Sequence, residues 1–278
     1  MAIKSILCHM ANDPRHRDRL ELAIALTHRF EAHLNVVYVT SPVSMPPGAA
    51  GRAASNIFIQ EQTEAAEEKA AAIRTELEER FSKSDCSHEM HMANGDHVKI
   101  LAEHAHLSDL VVVGQGAPKS SDHVVLHTPE KIALEAGGPV LILPFEAGTW
   151  SAEKPLGRKV MVAWKNSKES IRAVRDGLSF LKGADDVHVF TVMTERNQVS
   201  GVDIGQYLSL HGVHAEIHAD IDSHGRIGEQ LRSRADTIGA DLIVMGAFGS
   251  DSTWKERLFG GVTEHMLAHL ERPLLVGH

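Results

Sequence analysis

The sequence predicts an α/β protein made of two tandem copies of one domain, each a five-stranded parallel sheet with helices on both faces. Three observations carry this. Short runs of β-branched and other apolar residues alternate with amphipathic stretches, the pattern of parallel strands joined by covering helices. Residues 110–113 and 242–245 are continuously apolar, as strands buried on both faces are. The second half also repeats the first in order. Ser108-Asp109-Leu110-Val111-Val112-Val113-Gly114 matches Ala240-Asp241-Leu242-Ile243-Val244-Met245-Gly246, and Gly138-Pro139-Val140-Leu141-Ile142-Leu143 matches Arg272-Pro273-Leu274-Leu275-Val276-Gly277. Lys4-Ser5-Ile6-Leu7-Cys8 matches Lys159-Val160-Met161-Val162-Ala163.

Taken in chain order, strands are expected at 3–9, 34–40, 86–92, 109–114 and 139–143, and again at 158–164, 186–193, 213–219, 241–246 and 273–277. Lys4 and Lys159 are 155 apart, whereas Asp109 and Asp241 are 132 apart. The first copy is therefore expected to be 23 residues longer before its fourth strand, with the excess in 41–80, a Pro/Gly-rich loop and a long helix over 56–82. Ala66, Ala70, Ile73, Leu77 and Phe81 fall at helical spacing on that helix, as do Ile171, Val174, Leu178 and Leu181, and Ile227, Leu231, Ala235 and Ile238. Each stripe should face a sheet. Asp96 and Ser223 stand where N-caps of the third helices belong, and Asp13 where it would cap a helix starting at Pro14. The domains are read as 1–145 and 157–278, joined by a small-residue, Pro-containing linker.

Bulk properties narrow the partners. The 278 residues give each half enough chain for its own core, at 43% hydrophobic and 23% charged. A formal net charge of −9 argues against a nucleic-acid partner, which calls for excess Lys and Arg. Glu61, Glu64, Glu67, Glu68, Glu76, Glu78 and Glu79 crowd the long helix and read as a solvated face. Two cysteines make no disulfide framework and are expected reduced. The start of the chain has no signal-like apolar core, and no run approaches the roughly 18 apolar residues of a membrane span. A cytoplasmic protein with no membrane partner is expected.

The chemistry is expected after the strands, in the crevice at their carboxyl ends. There the second copy has Gly246-Ala247-Phe248-Gly249, then ten residues, then Gly260-Gly261-Val262-Thr263 opening a helix. Glycines allow close backbone approach, and amides at a helix start suit phosphate. Thr263, Lys255 and Arg257 could add a hydroxyl and charge; Asp251 and Glu256 would oppose them. The same glycines could equally serve to turn the chain and let the helix pack closely, and on generic physics the two readings stay even.

Those glycines, with Arg272-Pro273-Leu274-Leu275-Val276 and Val160-Met161-Val162-Ala163-Trp164-Lys165-Asn166-Ser167, resemble the universal stress protein family, in a tandem form spanning nearly the whole chain. The resemblance implies the strand order 3-2-1-4-5 in each copy. It also implies an intramolecular pseudo-dimer with the last strands near its axis, with room for homodimerisation. It implies a stress-response protein binding ATP or another adenine nucleotide, with or without magnesium, at Ala163, Trp164, Val192, Gly246, Gly249, Gly260, Gly261, Val262 and Thr263. Three departures are visible. The spacer is one residue longer than the family's nine; Gly261 stands where a Ser or Thr belongs; and Trp164-Lys165-Asn166 replaces an acidic turn. In the first copy Gly114-Gln115-Gly116-Ala117-Pro118 has no second glycine pair at loop distance. That copy reads as a packing partner that has lost the loop.

No catalytic residues are assigned, since no nucleophile–base motif or P-loop is present and the loop lacks a positioned base. The 19 histidines, among them His88, His91, His104, His106, His211, His214 and His218, show no complete ligand set, and no metal is assigned. The function expected is an adenine-nucleotide sensor acting through the second copy. The alternative is a nucleotide-independent scaffold for an unidentified protein partner or small ligand; a slow ATP hydrolase ranks last.

Overall fold

A computed structural model describes residues 2–11, 13–40, 52–116, 128–146, 150–193, 202–221, 226–247, 249 and 261–278. In the first half, strands β1 (Ser5–Met10), β2 (His33–Thr40), β3 (His88–Asn94), β4 (Leu110–Gly114) and β5 (Val140–Leu143) alternate with helices α1 (His16–Phe30), α2 (Arg52–Ser82), α3 (His97–Ala105) and α4 (Thr128–Glu135). The second half repeats the scheme with β6 (Lys159–Ala163), α5 (Lys168–Leu181), β7 (Asp186–Met193), α6 (Val202–Leu210), β8 (Glu216–Ile221), α7 (Ile227–Ile238), β9 (Leu242–Gly246), α8 (Gly261–Ala268) and β10 (Leu274–Gly277).

The strands form one ten-stranded mixed sheet, ordered β3-β2-β1-β4-β5-β10-β9-β6-β7-β8. Each half carries the order 3-2-1-4-5, all parallel within the half. The halves meet through β5 and β10, antiparallel, with Leu141 opposite Leu275. That pairing removes two exposed sheet edges, which would otherwise offer unpaired amides and carbonyls.

Successive strand residues feed opposite core layers, as a pleated strand requires. Ile6 and Cys8 pack with Leu20, Leu77 and Val174 in one layer, and Leu7 packs with Leu101, Ile132, Leu231 and Met266 in the other. Residues such as Leu34, Val112 and Leu242 are fully buried, each stabilising the fold by about 1.5–3 kcal/mol. At the junction the Phe30 and Phe180 rings meet edge to face at 5.2 Å, and Arg29 Nη1 donates to Leu156 O at 2.5 Å. The Gln115 side-chain amide donates to Leu267 O at 2.6 Å and accepts from Phe145 N at 2.9 Å. Among the described residues, no helix is long and apolar enough to cross a membrane.

Three local expectations need correction. Ser5, not Lys4, is the counterpart of Lys159: Asp109 N donates to Ser5 O, as Asp241 N donates to Lys159 O. Ile6 and Val160 accordingly share a core layer, as do Leu7 and Met161. Matching lysine to lysine slips the alignment by one residue, which would put every side chain on the wrong face. Asp13 is not an N-cap: α1 begins at His16, with Arg15 at the cap position and no side-chain bond there. The Asp13 carboxylate does accept from Arg15 N at 3.0 Å, in the turn that precedes α1, and it also pairs with Arg19 at 2.5 Å. The third helix pair also differs, since α7 has Arg226 at its cap position, and Ser223 lies outside the described residues. Asp96 does cap α3, accepting from Lys99 N at 3.1 Å.

Candidate functional site

The carboxyl ends of β6 and β9 are adjacent in the sheet, and the chain leaves them toward opposite faces. The parting opens a cleft of about 530 Å³. Its walls come from Ala163 to Ser170 after β6, Phe190 and Val192 on β7, Leu231 on α7, Met245, Gly246 and Gly249 at and after β9, and Gly261, Val262 and Thr263 at the start of α8. Eight of the nine residues expected to form a nucleotide site thus line one cavity: Ala163, Trp164, Val192, Gly246, Gly249, Gly261, Val262 and Thr263. The ninth, Gly260, lies outside the described residues, as do Phe248, Asp251, Lys255, Glu256 and Arg257.

The two ends of the cleft differ in chemistry. Ala163, Phe190, Val192, Leu231 and Met245 make an apolar wall, with the half-buried Trp164 ring beside it. The glycines and the first turn of α8 make a polar end. The glycines are not equivalent. A Cβ on Gly246 would lie 2.5 Å from the backbone of Glu169 and Ser170, so this glycine lets the N-terminus of α5 sit against β9. A Cβ on Gly261 would meet nothing within 4 Å among the described residues. Gly246 therefore follows the packing reading, whereas no described residue packs against Gly261.

Sequence reasoning missed Glu169. Its side chain is 9% exposed, lines the cleft, and sets Oε2 3.6 Å from where a Gly249 Cβ would be. It sits in the first turn of α5, capped by Ser167 Oγ accepting from Ser170 N at 3.2 Å. An acidic residue there suits the helix dipole, and nothing in the sequence distinguishes that use from a role in the cleft. Phe190, Leu231 and Met245 were legible only as core.

At the corresponding place in the first half, by the carboxyl ends of β1 and β4, a cation is buried. The Arg19 guanidinium, 2% exposed, lies against Gly114, donates to His9 O at 2.6 Å and pairs with Asp13. Beside it His9 Nε2 and His97 Nδ1 are 3.1 Å apart. Burial, then the Arg19 charge, then His97 hold the His9 ring well below the usual imidazole range. Burial lifts the neighbouring Cys8 thiol to about 12. This half places a buried guanidinium where the second half has a cleft.

The histidines singled out in the sequence are scattered. His88 stacks on Phe81 at 3.9 Å, His91 lies beside His104 at 5.0 Å, and His106 Nε2 bonds Glu135 O at 3.1 Å. His211 and His214 precede β8, which begins at Glu216 because Val213 N bonds back to Leu208 O and closes the helix end.

The universal stress protein family model matches residues 2–144 and 157–278. Among solved structures, a universal stress protein from Archaeoglobus fulgidus DSM 4304 superposes with a TM-score of 0.71 at 16% identity, over 97% of this chain and 94% of that one. A putative universal stress protein from Pseudomonas aeruginosa UCBPP-PA14 gives 0.59 at 18% identity, over 99% and 92%. At these identities the likeness bears on the fold. No curated protein sequence matches the chain.

Proposed function

The chain belongs to the universal stress protein family, and from that premise we propose that it is an adenine-nucleotide-binding regulator whose single site is the cleft of its C-terminal half. The observation that carries this is the asymmetry between the halves. By the end of β4 the first half buries the Arg19 guanidinium, paired with Asp13; by the end of β9 the second half has an open cleft with an apolar wall and a glycine-lined helix start. About 530 Å³ falls within the size range of small-molecule sites.

The residues suit such a ligand. The wall of Ala163, Phe190, Val192 and Met245 with Trp164 fits the flat apolar face of a base. Gly249, the open position at Gly261 and the amides opening α8 suit phosphates. Glu169 would repel a bare polyphosphate, so a magnesium ion, which takes oxygen ligands, fits between the two. Bound there, the ion would neutralise phosphate charge.

Calorimetric titration with ATP, ADP and AMP, with and without magnesium, tests this. The expected result is saturable, magnesium-dependent binding near one per chain, lost in Gly261→Asp. In Glu169→Gln binding should persist and need less magnesium. Absence of binding across the set in folded, ligand-free protein would contradict the proposal and favour the second reading, a nucleotide-independent scaffold. Trp164 and Lys165 in place of an acidic turn are the observation on that side.

A further inference from the structure

On the outer edge of the second half, three potential ligands converge that are far apart in sequence. β7 and β8 pair in parallel, with His188 opposite Glu216 and Phe190 opposite His218. Residues two apart on a strand share a face, so His188, Phe190, Glu216 and His218 all project from one side of the sheet. His188 Nδ1 lies 3.2 Å from His218 Nε2 and 3.4 Å from Glu216 Oε2, and His218 Nε2 lies 3.7 Å from that same oxygen. Among the described residues this is the one His/Cys/Asp/Glu trio whose ligand atoms gather so closely.

We propose that His188, Glu216 and His218 form a binding site for a divalent transition metal of the zinc class. The triangle has the right size. Tetrahedral zinc with bonds of about 2.0–2.2 Å holds its ligand atoms about 3.3–3.6 Å apart, and the three observed separations bracket that range. The donor set suits it too, since two imidazoles and a carboxylate favour zinc or copper over magnesium. A hydrogen bond between the rings accounts for the shortest side of the triangle but not for a carboxylate oxygen facing both nitrogens.

Packing holds the rings ready. The His218 ring stacks on Phe190 at 4.4 Å and 9°, and the His188 and His218 rings are 5.4 Å apart at 27°. The nearby cation Arg234 is already paired with Asp220 through two bonds of 2.7 Å. The His188 side chain is 12% exposed and Glu216 72%, so the site opens outward to an arriving ion. Starting from neutral rings, ligation needs only the proton between the facing nitrogens to move to the far nitrogen of its ring. Three protein ligands leave a fourth position for water or an added ligand. Phe190 also lines the cleft, so the metal would fix the ring stack behind the cleft wall.

The test is titration of the chelator-stripped full-length chain with cobalt(II), followed by zinc. Expected is a visible absorption of tetrahedral cobalt that saturates at one per chain and is abolished by one equivalent of zinc. His218→Gln should lose it. Glu216→Gln should lose or greatly weaken it, and this exposed change leaves the fold intact. His269→Gln is the control, because His265 and His269, stacked at 4.4 Å one helical turn apart, form another histidine pair able to attract metal. Absence of tetrahedral absorption, or absorption that survives in both His218→Gln and Glu216→Gln, would overturn the proposal.

Discussion

Gly246 and Gly261 are indistinguishable in a sequence pattern, yet their surroundings give them different work. Gly246 has the α5 backbone against it; Gly261 has no described atom within 4 Å of a Cβ. Gly246→Ala must push the first turn of α5 away from β9 and should cost about 1–3 kcal/mol. Gly261→Ala enters the first turn of α8 unopposed and should be neutral or add up to about 1 kcal/mol. Denaturant unfolding of the two variants checks this, and equal effects would contradict the assignment. The glycines and their place after a strand were legible from the sequence. Which of them packs and which stays open was not, because the deciding contact comes from Glu169, more than seventy residues away. Glu169 and the His188–His218 pair stayed hidden for the same reason: tertiary contacts, helix packing for the one and strand pairing for the other, bring them to their neighbours.

Among the elements, α2 accounts for most of the difference between the two halves. Its apolar stripe was readable from spacing, and Ile73, Leu77 and Phe81 are buried as a 3.6-residue period requires. Its polar face touches α1 at two places: Arg17 bonds both Glu76 oxygens, at 2.6 and 2.9 Å, and Arg80 both Glu21 oxygens, at 2.5 and 2.7 Å. These pairs lie at the surface, where ion pairs contribute little. Leu77→Ala should therefore cost about 2–5 kcal/mol, whereas Arg17→Ala should leave the melting temperature nearly unchanged. Comparable losses in thermal unfolding would mean that charge, not burial, docks the helix. Helix starts were the less legible part. Asp13 looked like a cap, and its carboxylate does hold Arg15 N, but α1 starts two residues later than expected, at His16, and the same carboxylate also pairs with the buried Arg19. Strand register was also misread by one, because identical lysines are weaker evidence than which face each residue presents to the core.

Across the whole molecule, the strand order of each half follows from the resemblance, and the continuously apolar strands agree with burial on both faces. The β5–β10 seam makes one sheet of two repeats, so the halves share a framework while their crevices diverge. One holds the buried Arg19 guanidinium, paired with Asp13, and the His9–His97 contact beside it; the other is an open cleft between β6 and β9. That divergence is the central claim, and hydrogen exchange with and without ATP and magnesium reads both crevices in one measurement. The account predicts slowed exchange in 163–170 and 261–266, with no change in the equivalent 9–16 and 128–133. Protection of both halves, of the first half alone, or of neither at saturating nucleotide would contradict it.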